Sequence, residues 1–402
     1  MLSEIRKKKL EANIWKFYLY RIFSTLAFIT PIFILFLQEN GLSMIQIMVI
    51  QSVYTAIIML SVVPSGIAAD YIGRKKVLLL STILHVTGWF IYASGHNFLQ
   101  FIIAESVFGL SAGMWMASGT AFFYDTLREL DREGSYKRLF GTVISIENVV
   151  TGFAALAGGY IAAYFNSFRL TFWITGFVIL ISLFISFSFT ATKDYKHGDK
   201  HYLLHLKNAS KFTITHPRLR LFIIYTAISA SIMFAAYILY QPYLQWIKVP
   251  LVYFGWIYFA MSIIGALGSK IAHRVEGYLG ERKILIIVLL VFIASVFGMS
   301  RGLVYLGVIF PILIFFIGGV LYPVMSDYLN KLIESHHRAT VLSLHELVVQ
   351  FFAALSAPFF GFIVDFWSLE TAFKMMAVLL VINLFILVAV FTIIRRREKR
   401  NI

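Results

Sequence analysis

Long apolar runs limit what this chain can fold into more than any other feature of its sequence. Hydrophobic residues make up 59% of the 402 residues and charged residues only 14%. A helix of about 20 apolar residues crosses the hydrocarbon core of a bilayer, which is about 30 Å thick. Twelve such runs can be marked, the first beginning near Ile14 and the last near Thr371. We therefore predict an all-α membrane protein with twelve transmembrane helices.

The lysines and arginines predict the orientation of these helices. Of the 35 basic residues, 29 lie in the two tails and in alternate connections between the runs. Positive charge accumulates in cytoplasmic connections, so we predict a multi-pass protein of the cell (plasma) membrane with both termini cytoplasmic. The net charge of +15 then reflects topology and the lipid bilayer as partner, and no nucleic acid.

One long polar connection, residues 191–217, divides the runs six and six. We predict an N-terminal six-helix bundle over 1–190, a cytoplasmic linker over 191–217 and a C-terminal six-helix bundle over 218–402. The linker contains His197, His201, His205 and His216. Their irregular spacing among lysines favours a solvated linker over a metal site. The chain has no cysteine, which excludes thiolate ligands, and we predict no metal and no cofactor.

Short motifs recur about half a chain later, at separations of 207, 202 and 198 residues. They are Asp70-Tyr-Ile-Gly73 with Gly277-Tyr-Leu-Gly280, Tyr124-Asp125 with Ser326-Asp327, and Ile146-Glu147 with Leu344-His345. Parallel repeats of six spans are typical of transporters in which two pseudo-symmetric bundles rock about a central site. An intramembrane enzyme would need a compact motif such as His-Glu-x-x-His, which the sequence lacks. We predict no enzymatic activity.

The connection after the second run carries a recognisable signature. Its residues Gly66-x-x-x-Asp70-x-x-Gly73-Arg74-Lys75-Lys76 resemble the loop between the second and third helices of the major facilitator superfamily. The resemblance implies alternating access around a cavity lined by the first, fourth, seventh and tenth spans. The stretches 64–70 and 121–126 are similar to prokaryotic drug:proton antiporter-like members. Two departures are Glu105, near the position where that branch usually has an arginine, and the incomplete glycine motif that ends at Gly158-Gly159.

We interpret this loop and the end of the fourth span as an inner gate latch. Asp70 is expected to accept hydrogen bonds from a helix N-terminus across the bundle interface, and Arg74 is expected to reach Asp125. The alternative is a topogenic loop whose cations only face lipid headgroups. The proposed latch consists of Gly66, Asp70, Gly73, Arg74, Lys75 and Asp125.

Four ionisable residues inside the spans are candidates for proton coupling, because a charge within the bilayer is costly unless it faces water or a partner. Glu105 is either a proton carrier or a hydrogen-bonding group that joins two helices. Glu147 and the pair His345-Glu346 lie at equivalent depths in the two halves, which suits an inner gate, a proton relay or a structural hydrogen bond. Adjacent helix positions are about 100° apart, so His345 and Glu346 cannot both face a cavity.

The substrate cavity is assigned from four further residues. Arg21 in the first span either neutralises an intramembrane carboxylate or snorkels to the inner surface. Tyr237, Tyr240 and Gln241 precede Pro242 in the seventh span, where they suit a ligand wall or an aromatic belt at the interface. Aromatic walls with few charges predict an amphipathic, largely apolar small molecule.

Together these features predict a monomeric secondary active transporter that works by alternating access and is driven by an ion gradient, with protons as the expected ion. Its expected activity is proton-coupled efflux of amphipathic or lipophilic small molecules. Two alternatives stay open: a proton-coupled transporter of one specific metabolite, and a non-transporting receptor or scaffold on the same fold.

Overall fold

The computed structural model describes residues 3–193, 213, 215–333 and 338–398. In these ranges the chain is helical and contains no β-strand. The α-helices are α1 Glu4–Thr25, α2 Phe33–Glu39, α3 Met44–Ile72, α4 Arg74–Ser94, α5 Phe98–Glu129, α6 Tyr136–Phe165, α7 Phe168–Phe187, α8 Pro217–Trp246, α9 Phe254–Leu279, α10 Glu281–Met299, α11 Ile309–Leu332, α12 Arg338–Phe366 and α13 Leu369–Glu398.

Within the described residues, eleven helices are long and apolar enough to cross a bilayer. The predicted run that begins near Ile14 is not among these eleven, because it is divided between α1 and α2. The helix begins at Glu4, ends at Thr25, and resumes only at Phe33. Pro31 lies in the interruption, where it lacks an N–H donor and its ring would clash with a helical residue 27.

The interruption between α1 and α2 is stabilised locally and enclosed by two other helices. The Thr30 hydroxyl donates to the Ala27 carbonyl at 2.9 Å, and the Phe28 N–H donates to the Thr175 hydroxyl of α7 at 3.3 Å. On the α6 side, the Phe28 carbonyl occupies the space that a Cβ atom on residue 158 would need. Gly158 is therefore required by the close approach of two backbones, which explains why this glycine is present.

The chain forms two compact units. The first comprises Met1–Leu42, Val53–Asp199 and Leu251–Tyr258, and the second comprises Ser43–Ser52, Lys200–Pro250 and Phe259–Ile402. Helices α3 and α9 therefore each begin in one unit and continue in the other. The predicted linker over 191–217 lies mostly outside the described residues.

Each unit has its own apolar core. In the first unit α4 packs against α5 and α7, and α1 packs against α6 and α7; the rings of Phe17 and Phe123 stack with centroids 4.5 Å apart. In the second unit α8 packs against α11, α12 and α13, and the rings of Phe222 and Tyr328 lie 4.7 Å apart. These cores hold the helices that carry the candidate residues.

The chain that leaves α7 is held against α1. The Asn13 side chain donates to the Thr190 carbonyl and accepts from the Thr190 N–H, both at 2.9 Å. Lys16 donates to the Ser188 carbonyl at 2.7 Å. Asn13 is fully buried, so both hydrogen bonds satisfy groups that water cannot reach.

A second set of contacts continues this arrangement toward the end of α5. Arg6 forms an ion pair with Glu129 at 3.0 Å and donates to the Ala191 carbonyl at 3.3 Å. The Lys193 N–H donates to the same Glu129 carboxylate. We refer to all these contacts of Arg6, Asn13, Lys16 and Glu129 with residues 188–193 as the exit clamp.

Candidate functional site

An ion pair between α1 and α6 lies within the first unit. The Arg21 Nε–H donates to the Glu147 carboxylate, and the two side chains are only 13% and 20% exposed. Two candidates that the sequence analysis treated separately are thus in direct contact. The contact is the one expected if Arg21 neutralises an intramembrane carboxylate.

The ring of Trp115 in α5 completes this group. The guanidinium carbon of Arg21 lies 4.1 Å from the Trp115 ring centroid, a cation–π contact that strengthens as the pair is removed from water. Arg21 therefore has one edge on a carboxylate and one face on an aromatic ring. Because this mostly shielded pair is neutral overall, removing either partner would leave an uncompensated charge.

Glu105 occupies a different place in the first unit. It is buried in α5 and accepts a hydrogen bond from the Tyr92 hydroxyl of α4 at 2.9 Å. Further along α5, a Cβ atom on Gly109 would lie 2.8 Å from the Tyr54 carbonyl of α3, so this face of α5 approaches its neighbour closely. This geometry suits a carboxyl that joins two helices, one of the two roles considered for Glu105.

Two residues of the predicted inner gate latch, Arg74 and Asp125, are in contact. The Arg74 Nη1 atom donates to Asp125 Oδ2 at 2.5 Å and to the Ala121 carbonyl at 3.2 Å. The side chains of Arg74 and Asp125 are 14% and 2% exposed. Gly73 has φ of 93° at the start of α4, a conformation that favours glycine.

The other latch residues have no such contacts. In the described part of the chain, Asp70 forms no hydrogen bond or ion pair and Lys75 forms no ion pair. A Cβ atom on Gly66 would meet nothing within 4 Å, so no close backbone approach requires this glycine. The contact expected for Asp70 stays a prediction.

In the second unit, His345 and Glu346 of α12 differ in environment as their helical spacing predicts. The Thr226 hydroxyl of α8 donates to the Ile223 carbonyl at 2.9 Å and lies 2.8 Å from His345 Nε2. The Thr226 hydroxyl and His345 Nε2 therefore share a hydrogen bond that joins α8 to α12. The other ring nitrogen lies 3.7 Å from the Glu346 carboxylate, which is mostly exposed.

The three candidates in α8 are divided between the surface and the core. Tyr240 and Gln241 are buried, and the Gln241 amide donates to the Tyr240 hydroxyl at 3.2 Å. Tyr237 is partly exposed, with its ring 5.8 Å from that of Phe315. The helix continues through Pro242 to Trp246.

Two residues of the first unit were missed by the sequence analysis. Trp115 is the aromatic partner of Arg21, and His85 accepts a hydrogen bond from the Trp89 ring N–H at 3.1 Å. The pair His85 and Trp89 is spaced four residues apart on α4, which was a readable signal. Among the described residues, no group of three or more histidines, aspartates or glutamates could hold a metal ion. His197, His201 and His205 of the linker lie outside those residues.

Comparison with known proteins establishes the family. The sequence matches the family model "Major Facilitator Superfamily" over residues 19–317 and 248–402. The chain belongs to the major facilitator superfamily. It is therefore a multi-pass membrane transporter and not an enzyme.

Curated members of the superfamily resemble this chain at low identity. The quinolone resistance protein NorA of Staphylococcus aureus is 24% identical over 170 residues, which is 42% of each chain. The match thus spans less than half the length of NorA. The uncharacterized MFS-type transporter YxaM of Bacillus subtilis (strain 168) is 24% identical over 362 residues, 88% of this chain and 89% of YxaM.

Solved structures of the superfamily share the fold. The nucleoside transporter NupG superposes with a TM-score of 0.76 at 13% identity, covering 96% of this chain and 98% of NupG. A bacterial homolog of the human lysosomal transporter Spinster, inward-facing and occupied, has a TM-score of 0.71 at 13% identity, covering 96% and 97%. At these identities the likeness concerns the fold alone.

Proposed function

We propose that this transporter works by alternating access in the plasma membrane and couples the inward movement of protons to the export of amphipathic small molecules. The observation that carries the proposal is the ion pair of Arg21 and Glu147, shielded from solvent and covered by the Trp115 ring. In this proposal Glu147 binds the proton, and Arg21 moves because its partner has lost its charge.

Coupling follows from the charge of the pair. Ionised Glu147 neutralises Arg21 in a region where an isolated charge is costly. When Glu147 takes up a proton it becomes neutral, so it no longer stabilises the guanidinium, and Arg21 must find another partner or move toward water. A substrate that needs ionised Glu147 then competes with the proton. Competition for one site is the requirement for exchange of a proton against a substrate.

Glu105 is the weaker candidate for the proton site. It lies in the tight contact of α5 with α3 and α4, where Tyr92 donates to it. A carboxyl that binds and releases a proton in each cycle needs a path to water. Glu147 is partly exposed, whereas Glu105 is buried.

Export of foreign amphipathic compounds is supported by the resemblance of part of the chain to NorA, whose name records quinolone resistance. The environment of Arg21 is also consistent with it, because an aromatic face beside a neutral ion pair accepts apolar rings without demanding one fixed pattern of hydrogen bonds. YxaM, which matches most of the chain, carries a name without a substrate.

The test uses everted membrane vesicles that contain the protein and are acidified inside, with a pH-sensitive dye. A quinolone, a lipophilic cation and a neutral amphipathic drug are added in turn. We expect several of them to trigger proton release in the wild type. Glu147→Gln should reduce this release about a hundredfold or more, the effect typical of losing a positioned proton-transfer group. The same variant should also lose most exchange of labelled substrate across proteoliposomes without a gradient, because a neutral glutamine imitates the protonated state with which the substrate competes.

Two variants serve as controls. Glu133→Gln removes an exposed carboxylate just before α6 and should leave proton release unchanged. Glu105→Gln should leave the ratio of proton release to substrate exchange unchanged, even where less protein reaches the membrane. Normal proton release by Glu147→Gln would refute the assigned role of Glu147. If no compound of the panel triggers proton release in the wild type, a dedicated transporter of one metabolite is favoured.

A further inference from the structure

The start of α3 is capped from two sources. Its first hydrogen-bonded turn begins with Ile47, whose N–H donates to the Ser43 carbonyl. Locally, Ser43 and Gln46 form a capping box, in which the Gln46 N–H donates to the Ser43 hydroxyl at 3.4 Å and the Ser43 N–H donates to the Gln46 side chain at 3.0 Å. This box leaves two N–H groups of the helix start, those of Met44 and Ile45, without a local partner.

The remaining two N–H groups are satisfied by Asp365 at the end of α12. Met44 donates to Asp365 Oδ1 at 2.9 Å and Ile45 donates to Oδ2 at 2.8 Å. Both carboxylate oxygens are thus used, and the negative charge faces the positive end of the α3 dipole. Residues 43–52 and α12 belong to the same compact unit, the second.

Two further contacts lie on the same face of α12. A Cβ atom on Gly361 would lie 2.7 Å from Ile45 Cα and 2.7 Å from the Met44 carbonyl. About two turns into α3, the Ser52 hydroxyl donates to the Ala354 carbonyl at 2.6 Å. The positions 354, 361 and 365 recur at intervals of seven and four, so they share one helix face. The contact is therefore a continuous seam that ends at the Asp365 cap.

We propose that Asp365 is a positioning residue for transport, which holds the start of α3 on the end of α12 in one state of the cycle and releases it in the other. The inference rests on alternating access as proposed above, but not on the proton site or the substrate. Helices α3 and α12 come from opposite halves of the internal repeat, and rocking of the halves must open one end of the seam. The charge pattern predicts that this end faces outward.

Opening the seam takes the Asp365 carboxylate away from the Met44 and Ile45 N–H groups, which have no local partner. Asp365 therefore favours the state with the seam closed, and its removal should shift the population toward the open state. The effect should be graded, because alanine removes both acceptors whereas asparagine keeps one oxygen.

The absence of cysteine from the chain provides a direct measurement. Met48 is fully buried in α3, one turn beyond the cap, so Met48→Cys reports on the opening of the seam. Intact cells are treated with a membrane-impermeant maleimide and the rate of labelling is followed. We expect Asp365→Ala to increase this rate about tenfold and Asp365→Asn about threefold, as the loss of a full or partial helix cap predicts. Gly361→Ala should act in the same direction because its Cβ meets backbone atoms.

Glu370→Gln is the matched control. Glu370 lies five residues from Asp365 and pairs with Lys374 within its own helix at 2.5 Å, so its loss removes one charge at the same end without affecting the cap. A second reporter, Ala104→Cys in the buried start of α5, detects general loosening. An unchanged rate at residue 48 in Asp365→Ala overturns the proposal, and so does an equal increase at residue 104. Neither result depends on Glu147 or on any substrate. These measurements therefore test the role of Asp365 even if the proposed coupling mechanism is wrong.

Discussion

The Arg74–Asp125 pair of the first half and the Lys331 cluster of the second half occupy corresponding ends of their repeats but are built differently. In the first half the cation comes from the start of α4 and both side chains are shielded, at 14% and 2% exposure. In the second half Lys331 comes from α11 itself, pairs with Asp327 at 2.6 Å and lies 3.9 Å from Glu276. Lys331 and Asp327 are 54% and 51% exposed.

The difference shows that both copies of a repeated motif can keep a carboxylate although only one copy uses it in a buried ion pair. Asp125 and Asp327 correspond at a separation of 202 residues, but the sequence has Glu281 where the first half has Arg74. A buried pair is costly to break because the remaining charge is uncompensated, whereas an exposed pair contributes little. Only the first copy should therefore hold its half together.

The largest effect is expected from removing the buried cation. Arg74→Ala removes the cation that is paired with the buried Asp125 carboxylate and should lower the free energy of unfolding by about 3 kcal/mol. The loss of stability is compared among the variants by heating the purified protein in detergent and measuring by size-exclusion chromatography how much of it stays folded. The double variant Arg74→Ala with Asp125→Ala should lose less than the single one. A loss no greater than that of Lys331→Ala would remove the distinction between the halves.

The next largest effect is expected from exchanging arginine and lysine at positions 74 and 331. Arg74 reaches both Asp125 and the Ala121 carbonyl from its Nη1 atom. The nitrogen of a lysine lies one bond closer to the backbone, so Arg74→Lys should weaken these hydrogen bonds and cost about 1–2 kcal/mol. Lys331→Arg should be neutral, since Lys331 is exposed. The same thermal assay compares them, and equal effects of the two exchanges would contradict this account.

A smaller effect, on transport alone, is expected from Asp70. It makes no hydrogen bond in the described residues, so Asp70→Asn should leave thermal stability and membrane insertion unchanged. If it stabilises a helix N-terminus in another state of the cycle, transport should fall about threefold to tenfold. Efflux of a fluorescent substrate is the measurement. Gly277→Asn, at the corresponding position of the second half, is the control and should transport normally; full activity of Asp70→Asn would end the latch interpretation.

The smallest effect is expected from Lys331→Ala. Both members of this pair are half exposed, so the loss should be below about 0.5 kcal/mol and should shrink further in high salt, which screens exposed charges. Thermal unfolding at low and high ionic strength tests this. A loss of stability above about 2 kcal/mol would mean that the exposed pair of the second half also contributes substantially to stability.

The features that were predictable from the sequence depend on neighbouring residues. The spans follow from local hydropathy, and the pairing of Arg74 with Asp125 follows from a loop motif and a repeated acidic residue. The interruption after Thr25 was missed because Pro31 sits inside an otherwise apolar run, and membrane helices often tolerate proline. Its consequence depends on α6 and α7, which enclose the break.

The features that escaped the sequence analysis depend on packing between distant helices. The contact of Arg21 with Glu147 and Trp115 needs three helices in register, so the sequence left the role of Arg21 open. The cap on α3 comes from Asp365, more than 300 residues further along the chain. The capping box at Ser43 and Gln46 was readable, because a serine three residues before a glutamine is its signature.

The exit clamp has a consequence for biogenesis. Its hydrogen bonds join α1 to residues 188–193, so they can form only after the sixth span and the following residues have been synthesised. All of its members nevertheless lie in the first half of the chain. The ribosome adds only about 5–20 residues per second, and domains made first tend to fold first. The N-terminal half can therefore complete this end of its structure while the helices of the C-terminal half are still being made.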